Sequence, residues 1–452
     1  MRTFLLAATA LALATPAWAD EPRPLTDEER AQALQELQDL RARMGALENR
    51  LGVSPPPAVQ VTPAAPRPPR DHNLELYGFV QLDAIQDFKR VNPDWDATLR
   101  PSRIPTEKGQ FGGDGQSVFS VRQSRLGAKA TGNIFGKPYE VKFEFDLYGT
   151  GVDAGQTTFR VRHMYAKWGP LLFGQTNTLW MDGDIFPNVV DYWGPTGMVF
   201  VRTPQIRYTF LDRDGWMAAV ALEHPSDDID PGNIRLIDEN IANNIQANEE
   251  LPDLTAALRY GGDWGHVRLG GILRKVGYDT KGTEGNEPDG HKTGWGLNLT
   301  GSANLGMFTP RLGVVYGRGI ATYMNDGGMD LAPAIDTFVD GNQIVIVPKA
   351  EAVKLLGISA YTDIQWSKKF SSSLGYSFTK VDNTNFQDAT AFHKGEYASA
   401  NLLYYPNDKM LAGLEVLWGK RTDNDGDKGT DARMQATFKW SFSSSNIWDW
   451  IE

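Results

Sequence analysis

The sequence predicts an all-β transmembrane barrel of about sixteen antiparallel strands, preceded by an N-terminal coiled-coil helix. Three observations lead there. From Arg433 to Phe442, Met434, Ala436, Phe438, Trp440 and Phe442 alternate with Arg433, Gln435, Thr437, Lys439 and Ser441. Successive strand residues point to opposite faces, so this segment has one apolar wall and one wet wall, as a lipid-embedded barrel requires of every strand. Second, no run of 18 apolar residues occurs anywhere in the 452, which excludes helical membrane spans. Third, the alternating segments are joined by short and long connections in turn, the asymmetry of a barrel with tight turns at one rim and loops at the other.

The elements follow in order. Arg2, the apolar run Phe4 to Leu13 and Ala17-Trp18-Ala19 form a secretory signal peptide over 1–19. Its removal takes the formal charge from -11 to -12, because Arg2 is the only charge before Asp20. Residues 20–53 hold a helix that starts at the capping box Thr26/Glu29. Ala33, Leu37, Leu40, Met44, Leu47 and Leu51 are spaced as the a/d seam of a coiled coil. In a parallel pairing Glu36 meets Arg41 and Arg43 meets Glu48, both attractive, and leucine at a positions favours a trimer. Seven prolines in residues 54–70 then make a semi-rigid spacer, a domain boundary.

The barrel domain occupies 71–452. Strands are expected over 77–88, 118–131, 139–148, 158–168, 171–181, 203–211, 216–223 and 254–261, then over 266–278, 293–304, 309–323, 354–366, 374–381, 397–405, 410–420 and 433–442. The long connections fall at 182–199, 225–253, 325–351 and 383–395. Tyr77, Trp168, Trp216, Tyr404, Tyr405, Trp418, Trp440 and Phe442 sit at strand ends, where interfacial girdles belong.

Parity sends cations into the lumen. Arg160 and Arg162 oppose Phe159 and Val161, with Met164 on their side and Tyr165 on the other. Arg125 and Lys129 oppose Leu126 and Ala128. Arg207, Arg268, Arg274 and Arg311 likewise sit opposite apolar neighbours. A guanidinium stays charged and binds a carboxylate with two parallel hydrogen bonds, so such a cluster would set anion selectivity. The plainer alternative is pairing with lumenal Asp83, Glu144 and Asp146. The loop after the fifth strand, 182–197, is long and too apolar for a solvated excursion; folded inward it would narrow the lumen. Its Asp182, Asp184 and Asp191 could then face the arginines, beside Tyr192 and Trp193.

Other chemistry finds little support. The chain lacks cysteine, which removes disulfides and thiol catalysis. Six histidines show no metal-ligand spacing, so no cofactor or metal is expected. Asp423, Asp425 and Asp427 begin like a calcium loop, but Gly426 is displaced and Met434 stands where the bidentate Glu belongs. The acidic balance argues against nucleic acid as a partner.

Two stretches resemble the DcaP-type porins: 160–182, RVRHMYAKWGPLLFGQTNTLWMD, and 194–208, GPTGMVFVRTPQIRY. The order of signal peptide, coiled coil, Pro-rich linker and barrel is also similar, and 124–129, SRLGAK, is a looser porin likeness. The resemblance implies a bacterial outer-membrane homotrimer of sixteen-stranded barrels, its coiled coil in the periplasm, passing small anions such as dicarboxylates. The segment Ser443 to Glu452 departs from it, since barrels usually end at the aromatic Phe442. Competing readings are a barrel-embedded hydrolase, which needs Ser, His and an acid to meet at the rim, and an adhesin or structural tether whose working part is the coiled coil.

Overall fold

Sixteen antiparallel strands close into a barrel in the computed structural model, which describes residues 72–340, 343–445 and six positions between 32 and 43. Those six (Gln32, Gln35, Glu36, Asp39, Leu40 and Arg43) are helical and exposed; the signal-peptide, remaining coiled-coil and linker expectations lie outside the described residues. The chain divides into units Met1–Pro69 and Arg70–Glu452, and the barrel is the second.

In chain order the barrel strands are β1 (His72–Asp87), β2 (Gln116–Ser120 continued by Arg125–Ile134), β3 (Lys137–Tyr148), β4 (Thr157–Trp168), β5 (Leu171–Asn177), β6 (Arg202–Arg213), β7 (Trp216–Glu223) and β8 (Asp253–Gly262). They continue as β9 (Gly265–Thr280), β10 (Gly290–Ala303), β11 (Phe308–Arg318), β12 (Lys354–Gln365), β13 (Phe370–Asp382), β14 (Phe392–Asn407), β15 (Met410–Asp423) and β16 (Lys428–Ser443). The cylinder closes where β1 pairs with β16, from Tyr77↔Ser443 to Asp87↔Arg433. Closure satisfies every strand's backbone, which hydrocarbon demands. Connections within hairpins such as 135–136, 169–170 and 214–215 define one rim; those between hairpins, up to 35 residues at 319–353, define the other. An outer-membrane barrel keeps the short turns periplasmic and the loops extracellular.

The dyad pattern places Val80, Leu126, Phe159, Ile206, Leu269, Leu312, Val416 and Phe438 on the outer wall, each more than 40% exposed. Trp168, Trp216, Tyr404, Trp418, Trp440 and Phe442 are outward as expected. Tyr77 and Tyr405 are not. Tyr77 donates to Glu144 inside the barrel at 2.9 Å, and the Tyr405 hydroxyl accepts from Asn188 of an inward loop at 2.9 Å.

Three loops fill much of the lumen, where sequence parity says nothing. The fifth strand stops at Asn177 rather than Met181, because Thr178–Met181 turns inward and fully buries Trp180 among Ile272, Ile320 and Tyr323. The segment 88–115 buries Val91, Leu99 and Ile104 against Tyr361, Tyr397 and Leu417 of the wall. It has no counterpart among the long connections expected. At Gly197 the loop 178–201 runs so close to the wall that a Cβ would lie 2.3 Å from the carbonyl oxygens of Ile358 and Phe378. Only glycine fits there.

Polar ties fix these loops to one another. Glu415, fully buried on β15, accepts the backbone N–H of Val190 and of Asp191, each at 2.9 Å. Asp191 accepts from Thr98 Oγ1 (2.8 Å) and the Leu99 N–H (3.1 Å) of the first loop. Asp326, from 319–353, takes Arg100 Nε at 3.0 Å and the Ser102 N–H at 2.8 Å. Beyond that loop's lumenal part, Leu331–Asp340 and Gln343–Ala352 pair as a separate hairpin.

Candidate functional site

With β8–β14 backed by loops, the open lumen lies against the other wall. A cavity of about 1130 Å³ is lined by residues of β16, β1, β2, β4, β5 and β6, with Val381, Phe392, Leu403, Leu411 and Arg421 of β13–β15 at its margin, and faced by Asp191, Tyr192 and Trp193 of the inward loop. Its cations are Arg100, Arg103, Arg125, Arg160, Arg162, Arg202, Arg421 and Lys439; its carboxylates are Asp191, Asp228, Asp230, Asp326 and Asp388.

The centre of this wall is a guanidinium cluster set over two acids of β3. Arg160 grips Asp146 through Nε (3.1 Å) and Nη2 (2.7 Å). Arg162 reaches Glu144 at 2.8 Å and Asp146 at 3.0 Å, and its Nη1 also donates to the Tyr192 hydroxyl at 3.1 Å. Arg125 lies 3.6 Å and Lys142 3.2 Å from Glu144. Four cations thus meet two carboxylates, leaving an excess of two positive charges. Tyr192, donating to Asp146 at 2.5 Å and stacked on Tyr148 with ring centroids 3.9 Å apart, pins the loop to the cluster.

Alternation alone cannot build this arrangement. Glu144 pairs with His163 while Phe145 pairs with Val161, so Arg162 is an extra residue in β4. Such a bulge lets two consecutive side chains share a face and shifts the parity beyond. His163 therefore also points inward, 2.9 Å from Thr176 Oγ1. Met164 is outward and 41% exposed, and Tyr165 turns in to donate to Glu140, the reverse of the expected assignment.

Several predicted cations serve elsewhere. Lys129 pairs with Glu75 at 3.2 Å towards the short-turn rim, and Arg207 binds Gln205 Oε1 and, at 2.8 Å, the Asn177 carbonyl. Arg268 donates to the Leu179 carbonyl; Arg311 holds Asp363 at 2.7 Å and donates to the Asp184 carbonyl. These residues do not line the cavity; Arg268 and Arg311 hold the base of the inward loop. The loop acids do not face the arginine cluster across open water. Asp182 and Asp191 are buried, the former bonded to His266 (2.7 Å) and Thr300 (2.6 Å), and Asp184 pairs with Arg259 at 2.7 Å.

Arg202 and Lys439 line the cavity without appearing among the expected site residues. Arg202 opens β6, and at a strand end the backbone no longer fixes which way a side chain goes. Lys439 was legible, being on the wet face of the last strand. Arg202 sits 5.0 Å from the Phe200 ring and Lys439 5.2 Å from the Phe79 ring; among the described residues neither forms an ion pair.

Two other constellations call for a chemical reading. Asp182, Asp184 and His266 bring ligand atoms within 4.8 Å of one another. Arg259 already neutralises Asp184, and Thr300 occupies Asp182, so the donors are spent on the protein itself. His266 also lies 3.0 Å from Ser302 Oγ, so Ser, His and Asp are in sequence. His266 is only 2% exposed, and none of the three residues lines the cavity. Asp423, in the acidic loop, is bonded to Arg421 (2.6 Å) and Thr106 (2.7 Å).

Known proteins share this architecture. The crystal structure of the outer membrane channel DcaP of Acinetobacter baumannii superposes with a TM-score of 0.67 at 22% identity, covering 84% of this chain and all of that one. An anion-selective porin from Comamonas acidovorans matches with a TM-score of 0.54 at 10% identity, over 82% of this chain and 100% of its own. Salmonella typhi OmpF, in a complex with daunomycin, gives 0.52 at 12% identity, over 82% and 98%. These identities speak for the fold alone. No curated protein matches the chain in sequence. The family profile of the DcaP outer membrane protein matches residues 62–442, and by that match the chain belongs to the DcaP family of bacterial outer-membrane channels.

Proposed function

We propose that the barrel is a passive diffusion channel preferring small anions, dicarboxylates among them, and that it works as a homotrimer whose residues 20–53 form a periplasmic coiled coil once 1–19 are removed. The observation that carries the reading is the excess of positive charge on the open wall: Arg125, Lys142, Arg160 and Arg162 against Glu144 and Asp146, with Arg202 and Lys439 alongside. A charged wall inside low-dielectric surroundings acts on a passing ion far more strongly than loop charges screened within about 8 Å by physiological salt. Two carboxylates on one solute could engage two guanidinium groups at once, which favours dicarboxylates. The inward loop supports the same reading, since Tyr192 and Trp193 narrow the passage to this wall.

The deciding measurement is the reversal potential of single channels in a salt gradient. The parent channel should prefer anions. Arg202→Gln with Lys439→Gln should move the potential toward zero, because neither removal orphans a carboxylate. Cation preference in the parent, or no shift in the double variant, would sink the proposal.

A further inference from the structure

On the outer wall, one region breaks the apolar pattern. Near the long-loop rim, the outward positions of β11–β16 carry Arg318, Lys354, Lys380, Lys394, Lys420 and Lys428. The same faces offer only Asp382 and Glu396 in return, an excess of four positive charges on a chain whose net charge is -11. Equivalent outward positions on β1–β4, Gln86, Ser117, Leu147 and Thr157, carry none.

The register sharpens the point. Arg318 lies directly across from Lys354, and Lys380 directly across from Lys394. Like charges in directly opposed positions of an antiparallel pair destabilise it. Glu396 is held by Lys394 and Lys420, each at 3.1 Å, and by the Tyr376 hydroxyl at 2.6 Å, so it is not free for Lys380. Asp382 lies directly across from Lys354 on its other side, one acid against the Arg318/Lys354 pair. Immediately below, Tyr316, Tyr376, Phe378 and Trp418 form an aromatic shelf, with Lys394 Nζ 5.0 Å from the Phe378 ring. Aromatic residues of this kind settle at the boundary between hydrocarbon and headgroups.

A cationic band just above such a shelf, on the lipid side of the extracellular rim, meets the headgroups of the outer leaflet. We propose that it binds the phosphate groups of an acylated glycolipid there. The acyl chains would lie on the apolar wall below, and the phosphates would bridge the opposed pairs Lys380/Lys394 and Arg318/Lys354. A phosphate oxygen accepts from several ammonium or guanidinium donors at once, which turns like-charge opposition into shared coordination.

The test uses the full-length protein in detergent micelles, titrated with diphosphoryl lipid A, its dephosphorylated form and inorganic phosphate. Diphosphoryl lipid A should bind, the dephosphorylated form should bind far more weakly, and millimolar inorganic phosphate should not displace it. Lys380→Gln with Lys394→Gln should weaken binding about thirty-fold, on roughly one order-of-magnitude step or less per surface cation removed. The same variant, without lipid, should melt close to the parent, because the opposed pair it removes offsets the lost Lys394–Glu396 contact and Lys420 still holds Glu396. If it does not fold, Arg318→Gln with Lys354→Gln tests the second pair. Equal binding of phosphorylated and dephosphorylated lipid A would overturn the proposal. So would displacement by free phosphate, or a change in oligomer size in the variant, which would mark the band as a contact between copies of the chain.

Discussion

Arg162 shows how much one side chain can carry here. It is nearly buried, bonds Glu144 and Asp146 and steadies Tyr192 of the inward loop. Arg162→Ala leaves Glu144 with Arg125 and Lys142 and Asp146 with Arg160, so neither acid is stranded. The loss is that of charge-assisted hydrogen bonds and the tie to Tyr192, about 1.5–3 kcal/mol. Chemical denaturation of the detergent-solubilised protein measures that loss directly; a change below about 1 kcal/mol would mean the acids find water instead. The residue types and the two acids were legible in the sequence, as was the inward side of Arg125, Arg160 and Arg162. The bulge that turns His163 inward was not, since an inserted residue carries no signature a parity count can see.

Among the elements, the extracellular loops make the clearest case for pH. Arg274 of β9 is fully buried and meets Asp227 (2.8 Å), Asp253 (2.9 Å) and Asp330 (3.2 Å). It thereby ties the loops 224–252 and 319–353 to the wall, with Tyr323 on Asp253 and the Asp228 N–H on Asp330. One cation among three carboxylates leaves two negative charges in excess. Burial first, and then the neighbouring acids, push the Asp227 carboxyl up to about 7 from its ordinary 3.8. A raised value means the latched form holds a proton that the released loop gives up. The group's contribution is therefore full below about pH 4 and is lost as pH rises through 7. Protease cutting within 224–252 should quicken between pH 4 and 8, and Asp227→Asn should flatten that dependence. A flat profile in the parent would refute the linkage.

At the scale of the whole molecule, the barrel's outer wall is continuous apolar surface between two aromatic belts, and association must be arranged elsewhere or on top of it. The a/d seam and the Glu36/Arg41 and Arg43/Glu48 pairs of residues 20–53 would supply register and number for a parallel trimer. Deleting 20–53 should leave the barrel's β signal intact while lowering the trimer fraction seen by light scattering on dilution. A peptide of 20–53 that stays monomeric at high concentration would show that the barrels associate without it.

The sequence by itself determined the membrane architecture, because a period of two in a closed sheet is local information: each residue's face follows from its neighbour's. Met434 to Phe442 and the sixteen alternating segments could be read that way, and the strand count and six of the eight belt aromatics agree with the structure, Tyr77 and Tyr405 excepted. Tertiary structure alone decided where the lumen stays open. Val91, Leu99, Trp180 and Met324 lie in loops without periodicity, and they take their places only by packing against wall residues far away in the chain. That packing sends Arg268 and Arg311 to hold a loop and brings Arg202 to the cavity, so the charge a solute meets is set by contacts that no local pattern encodes.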